Sequence, residues 1–144
     1  HRFLVLRYLS NMFKNDETRR VMASNRAVVL SAIAQVIQCD HKQVRLGVAT
    51  VLLNYSTVLR NGPDNEGKIQ ILNCVSELIN LDKEAESVFR ALVALGNLIA
   101  NNVEMISMAS GLGIKASLAS LKVPQGGDGT KVHECAGDIQ RLLQ

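Results

Sequence analysis

The apolar positions of this chain fall into a succession of stretches of helical length, separated by short polar turns. No segment of useful length alternates apolar and polar residues with the period of two that a half-buried strand needs, so the pattern predicts no β-sheet. Asp16, Pro63 and Gly111 stand where a helix would begin or end. The predicted helices cover residues 2–13, 16–23, 25–38, 42–59, 64–80, 84–100, 102–111, 113–121 and 130–143.

The predicted helices carry an internal repeat. Asn11, Asn54 and Asn97 are separated by 43 residues each, and a leucine stands two positions before every one of them. The helices that precede the last two asparagines also match, because LSAIAQVIQ at 30–38 aligns with LNCVSELIN at 72–80. A period of about 43 residues with two or three helices in each unit is typical of armadillo and HEAT repeats.

The repeat predicts a fold and a domain organisation. Units of this kind cannot bury their apolar faces alone, so neighbouring units stack into a solenoid. We therefore expect a single all-α domain, an armadillo/HEAT-like right-handed solenoid, in which helices 2–13, 42–59 and 84–100 lie side by side and face one concave surface. The predicted repeats cover residues 1–13, 16–59 and 64–100, and capping helices cover residues 102–143.

Composition and charge narrow the classes of function. Hydrophobic residues make up 47% of the chain but aromatic residues only 3%, without any tryptophan. A core of this kind is common in helical stacks, and it lacks the aromatic platforms on which nucleic-acid bases stack. The net charge of +3 argues against general polyanion binding and leaves room for a local basic groove. No apolar run reaches the roughly 20 residues that cross a bilayer, so we expect neither nucleic acid nor a membrane as a partner.

The cysteines indicate a reducing environment. Cys39, Cys74 and Cys135 are far apart and odd in number, so they predict free thiols in an intracellular protein. No signal peptide is visible, and we expect a cytoplasmic location with the nucleus as a second one. The chain begins at His1 and runs straight into a predicted helix, which suggests a piece of a longer protein.

Two short motifs pair a cysteine with a histidine, at residues 39–41 and 133–135. In the last predicted helix this spacing places His133 and Cys135 roughly 200° apart around the axis, which is too far to share a metal ion easily. A thiol nucleophile needs a paired base and a group that orients it, and the first motif offers only proximity in sequence. We therefore predict no catalytic residues, no metal site and no cofactor.

The stretch FRALVALGNLIAN at residues 89–101 places two polar residues in an otherwise apolar helix. Arg90 and Asn97 lie seven positions apart and therefore share one face. An asparagine that recurs once per repeat can hydrogen-bond the backbone of an extended peptide, and an arginine beside it can bind an acidic side chain or a terminal carboxylate. Two other roles stay open. The asparagines can satisfy the backbone of their own repeat, and Arg90 can pair with Glu86 one turn earlier.

Four segments resemble the PUL domain family, the C-terminal domain of phospholipase-activating proteins (PLAA) and of ubiquitin-fusion degradation factors. They are VATVLLNYS (48–56), NEGKIQILNCVSELI (65–79), FRALVALGNLI (89–99) and KVHECAGDIQRLL (131–143), and their order and spacing agree with the family. The resemblance implies an armadillo-like stack whose basic concave groove binds the acidic C-terminal tail of the AAA ATPase valosin-containing protein. It also implies that ubiquitin is contacted only by upstream domains, and that the first repeats of the domain lie outside this chain.

The resemblance also assigns residues to the groove. Arg90 opens the family block that Asn97 closes, and Arg7 matches the arginine of an earlier family helix. Asn54 and Tyr55 match the family's LNYS. With the asparagine of the first repeat, the predicted peptide-binding residues are Arg7, Asn11, Asn54, Tyr55, Arg90 and Asn97. A monomer is expected. The alternative function is a PUL-type accessory or structural solenoid attached to a thiol peptidase of the deSUMOylating or deubiquitinating kind, or to a thioredoxin-like domain.

Overall fold

The computed structural model describes residues 2–144, apart from the side chain of Phe3, and these residues form nine α-helices, one 3-10 helix and no strand. The all-α prediction is therefore confirmed, and the predicted helix ends differ from the observed ones by no more than two residues. The α-helices are α1 (Arg2–Asn11), α2 (Asp16–Ser24), α3 (Arg26–Val36), α4 (Lys42–Leu59), α5 (Asn65–Leu81), α6 (Ala85–Ile99), α7 (Val103–Gly111), α8 (Ile114–Ala119) and α9 (Gly129–Leu142), and the 3-10 helix covers Met12–Lys14.

Polar side chains just before several helices satisfy their first free backbone N–H groups. Asn15 Oδ1 accepts a hydrogen bond from the Thr18 amide at the start of α2 (2.9 Å), and Asp64 Oδ1 accepts one from the Gly67 amide at the start of α5 (3.1 Å). The sequence placed the first of these caps at Asp16. The structure moves it to Asn15, whose backbone is extended, and makes Asp16 the first helical residue.

The helices pack in two rows. In the first row α1, α4, α6 and α9 lie side by side in this order, and in the second row α3 contacts α5, which contacts α8. The two rows pack against each other through α4, α5 and α6, which is the arrangement of a helical solenoid. The predicted neighbours 2–13, 42–59 and 84–100 are thus confirmed as adjacent helices. The right-handed sense and the boundaries of the repeats stay predictions.

One face of α1 lies open beside α3. An apolar groove of about 290 Å³ runs between these two helices, and Val5, Leu9, Val28, Ala32 and Val36 are among the side chains that line it. α1 also lies close to α4, because position 47 is a glycine. A Cβ atom there would come within 2.8 Å of the Leu6 Cβ. This close approach brings the polar face of α1 next to the polar faces of α4 and α6.

Candidate functional site

A pocket of about 190 Å³ lies where α1, α4 and α6 meet, and we call it the arginine pocket. It brings together three of the predicted peptide-binding residues, Arg7 and Asn11 from α1 and Arg90 from α6. Arg7 and Asn11 are exposed, and the side chain of Arg90 is 34% exposed. The remaining lining residues are Ser10, Gln43, Leu46, Gly47 and Thr50. Two arginines from non-adjacent helices of the first row therefore face one solvent-accessible space.

The guanidinium of Arg90 is held on two sides. Its Nη1 donates a hydrogen bond to Thr50 Oγ1 on α4 at 2.6 Å, and its Nε donates to Glu86 Oε1 at 3.0 Å. No hydrogen bond involves Nη2 within the described residues. An arginine carries five N–H donors, so Arg90 is oriented by its neighbours and still has donors for a ligand.

Glu86 links Arg90 to a second cation. Besides Arg90 it binds Lys131 of α9, whose Nζ lies 2.9 Å from Glu86 Oε2. The same ammonium group sits 4.6 Å from the centre of the Phe89 ring, within the range of a cation–π contact. Hydrogen bonds from Lys131 and from Arg90 lower the pKa of Glu86, which keeps this carboxylate ionised. The internal ion pair between Arg90 and Glu86, one of the two alternatives left open by the sequence, is therefore present.

The asparagines of the repeat lie on three adjacent helices but have different surroundings. Asn97 Nδ2 donates to Ser56 Oγ on α4 at 3.1 Å, and Asn97 Oδ1 accepts from Arg60 Nη1 at 3.4 Å. Asn54 is half-buried and Asn11 is exposed. In the described part of the chain, none of the three side chains bonds to a backbone group, which argues against the alternative that they satisfy their own repeat. Whether they contact a peptide stays a prediction.

Tyr55 is a core residue, and its assignment to the peptide-binding set is wrong. Its side chain is fully buried, its hydroxyl donates to the Met22 carbonyl at 2.8 Å, and its ring meets Phe13 edge to face with centroids 4.9 Å apart. Burial raises the pKa of Tyr55 to about 12. The physical reason is helix geometry. Consecutive residues point about 100° apart, so a helix that turns Asn54 towards the surface turns Tyr55 into the core.

Thr50 and Lys131 were missed by reasoning from the sequence. Thr50 stands four positions before its repeat asparagine, as Arg7 does, so the repeat register itself was a signal for it. Lys131 lies on the last helix, which the repeat does not cover. Only the packing of α9 against α6 brings it to Glu86.

Cys74 lies in the hydrophobic core, Cys135 packs against it, and His133 bonds to the backbone. Burial, and secondarily the charge of Glu77, raises the pKa of Cys74 to about 12, and burial also raises the pKa of Cys135. A thiol with a raised pKa carries little of the thiolate that attacks or binds metal. His133 Nε2 donates to the Val123 carbonyl at 2.8 Å. Among residues 2–144, no three side chains of His, Cys, Asp or Glu come together as metal ligands do.

We expect native mass spectrometry of the purified domain to give the mass of the bare chain with three free thiols. The reason is that Cys39, Cys74 and Cys135 are far apart in the sequence and that none of them forms a disulfide; Cys74 is buried and the other two are half-buried. A thiol-labelling assay under denaturing conditions, with and without prior reduction, is the control and should count the same number of thiols. A mass increment that matches zinc, removed by a chelator together with helicity, would contradict this prediction.

No helix in the described residues combines the length and the apolar character that crossing a membrane requires. The expectation that the domain does not associate with membranes stays a prediction.

Comparison with known proteins identifies the family of this chain. Residues 1–138 match the family model of the PUL domain. The chain is also 32% identical over 143 residues to the phospholipase A-2-activating protein of Xenopus laevis, an alignment that covers 99% of this chain and 18% of that protein. The chain thus spans about a fifth of the length of this relative. The chain belongs to the PUL domain family, whose members are protein-interaction domains.

Proposed function

We propose that this domain is a peptide-binding adaptor, which recognises the acidic C-terminal tail of the AAA ATPase valosin-containing protein and links that ATPase to ubiquitin-dependent processing. The observation that carries the proposal is the convergence of Arg7 and Arg90 in one solvent-accessible pocket. Two permanently charged groups with planar donor arrays suit the carboxylates of an acidic peptide better than they suit a neutral ligand.

Polar groups around the two arginines can hold the backbone of the same peptide. Asn11 is exposed at the pocket, and it offers both a donor and an acceptor. Ser10, Gln43 and Thr50 also line the pocket. The site thus offers carboxylate binding and backbone binding side by side.

The other parts of the proposal follow from the same role. The domain acts by binding and carries no catalytic group, and it works as a monomer in the cytoplasm and the nucleus. Ubiquitin is handled by other domains of the full-length protein. The alternative is an accessory or structural solenoid beside a thiol peptidase or a thioredoxin-like domain. The match to a phospholipase A-2-activating protein favours the adaptor.

The test is a titration of this domain with a fluorescent peptide that carries the acidic tail of the ATPase. We expect saturable binding whose affinity falls as NaCl rises from about 0.05 to about 0.5 M, since salt screens exposed charge pairs. The control peptide has every Asp and Glu replaced by Asn and Gln, and a second control carries a C-terminal amide in place of the carboxylate.

Loss of binding with the first control assigns the contact to side-chain carboxylates, and loss only with the second assigns it to the chain terminus. Equal binding of the acidic peptide and of both control peptides would refute the proposal. An absence of binding by the acidic peptide would do so too, and it is the result that the accessory-solenoid alternative predicts.

A further inference from the structure

Glu86 stands between the two cations that flank the arginine pocket. One of its carboxylate oxygens accepts from Arg90 Nε at 3.0 Å and the other lies 2.9 Å from Lys131 Nζ, and its side chain is 46% exposed. An anion in this position has the chemistry of the ligand that the pocket is proposed to bind. It is also accessible to that ligand from solvent.

The N–H donors of Arg90 explain why the position of Glu86 matters for ligand binding. A carboxylate binds a guanidinium most strongly through two neighbouring N–H groups, either the Nε and Nη2 edge or the Nη1 and Nη2 edge. Glu86 already accepts from Nε and Thr50 already accepts from Nη1. Nε carries a single N–H, so Glu86 blocks the Nε and Nη2 edge, and a ligand carboxylate gains a two-point contact on that edge only where Glu86 gives way.

Of the two partners, Glu86 is the one placed to move. Thr50 belongs to α4, whose face is packed against α6, and its bond to Arg90 is short at 2.6 Å. Glu86 is nearly half exposed, carries the same charge as the ligand and keeps a second cation in Lys131. Lys131 is itself held over the Phe89 ring, so it remains beside Glu86 when Arg90 is taken by another anion.

We infer that Glu86 is an internal competitor that occupies the ligand's place on Arg90, and that Lys131 retains Glu86 when an acidic ligand displaces it. This inference rests on the proposed function. Its consequence is selectivity. A ligand with one weakly placed carboxylate does not displace Glu86, whereas a strongly acidic segment that also contacts Arg7 does. Glu86 is thus a specificity-determining residue of the pocket.

The opposite role for Glu86 is to position Arg90 for the ligand, and the two roles predict opposite signs. If Glu86 only positioned Arg90, its removal would weaken binding. Arg90 is already oriented by its bond to Thr50 across the helix interface, so the geometry favours the competitor.

The experiment measures the affinity of the acidic tail peptide for the wild-type domain and for E86Q, which keeps the shape of the side chain and removes its charge. We expect E86Q to bind about three- to fivefold more tightly, in line with the strength of an exposed ion pair. The matched control is E66Q. Glu66 is an exposed glutamate that pairs with Arg26 (3.4 Å) on another part of the solenoid, and its loss changes the net charge equally.

A second pair of variants tests the role of Lys131. K131M should weaken binding more in the wild-type background than in the E86Q background, because without Lys131 the Glu86 carboxylate has only Arg90 as a partner. Circular dichroism melts of all variants check that the fold is intact.

An E86Q affinity that is equal to or lower than that of the wild type, while the wild type binds, would overturn this inference alone. Failure of every form to bind, E86Q included, would overturn the proposed function and this inference with it.

Discussion

Replacing Tyr55 by alanine is expected to destabilise the domain by about 3–5 kcal/mol, the range for removing a large aromatic side chain from a core. Tyr55 is fully buried, packs edge to face on Phe13 and donates its hydroxyl hydrogen to the Met22 carbonyl. The truncation removes this packing together with the hydrogen bond from the hydroxyl to the carbonyl. Urea denaturation followed by circular dichroism measures the change.

Tyr55→Phe is the matched control, because it keeps the ring and removes only the hydroxyl. It should cost about 1 kcal/mol, since one buried hydrogen bond is lost while the Met22 carbonyl keeps its bond from the Asn25 amide (3.2 Å). The acidic peptide should bind the folded fraction of the Phe variant with unchanged affinity. If Tyr55→Phe instead lost peptide affinity at unchanged stability, Tyr55 would belong to the binding surface after all.

The row of α1, α4 and α6 could be predicted from the sequence because the period of the repeat is carried by buried residues. Leu52 and Leu95 precede their asparagines by two positions, and both are fully buried. When the same core position recurs in each repeat, each helix packs the same face against its neighbour. Helices at equivalent positions of the repeat therefore lie next to each other in the structure. Polar caps such as Asn102, which accepts from the Met105 amide (3.1 Å), mark the boundaries between helices.

The contacts of the site could be predicted only in part. The distance of seven residues between Arg90 and Asn97 places both on one face, but it does not reveal that Asn97 binds Ser56 and Arg60. Glu86 was a foreseeable partner of Arg90 because both lie on one helix, one turn apart. Its second cation, Lys131, lies 45 residues away and depends on how α9 docks. The spacing of residues along the sequence predicts contacts within one helix. Contacts between side chains of different helices depend on how those helices pack.

Tyr55 shows that the residues of one family motif, here LNYS, do not all have the same role. Asn54 and Tyr55 are consecutive residues of this motif, and the side chains of consecutive residues in a helix point about 100° apart. The hydrophobic pattern of α4 already placed Leu52, Tyr55 and Leu59 at the spacing of one buried face, and all three are buried. Applying that spacing residue by residue would have separated the core tyrosine from the surface asparagine.

Replacing Arg90 by alanine is expected to weaken binding of the acidic tail peptide at least tenfold while the domain stays folded. Arg90 lines the arginine pocket and has further N–H donors for a ligand. The loss of a charged hydrogen bond that a bound ligand shields from water costs about 2–4 kcal/mol. The stability cost should stay below about 1 kcal/mol, because its ion pair with Glu86 is a partly exposed one. Arg90→Lys should recover only part of the affinity, since an ammonium group cannot form the two-point contact.

The control is Arg141→Ala, which removes the same charge from a similar surface pair. Arg141 is 71% exposed and pairs with Asp138 on its own helix, as Arg90 pairs with Glu86. This variant should weaken peptide binding only as much as the loss of one positive charge elsewhere on the surface does. The small effect should vanish in high salt, because salt screens exposed charges. Isothermal titration calorimetry gives the affinities, and thermal melts give the stability of each variant.

The measurements separate two roles for Arg90. A structural role alone would make Arg90→Ala lower the melting temperature by many degrees, because α6 would lose its links to Thr50 and Glu86, and the folded remainder would bind as before. That outcome would refute the assignment of Arg90 to the binding site. In the binding role the melting curve stays nearly in place. Lys131 keeps Glu86 paired after Arg90 is removed, so the stability of the domain changes little. The peptide affinity falls instead, because the carboxylate of the ligand has lost its principal donor.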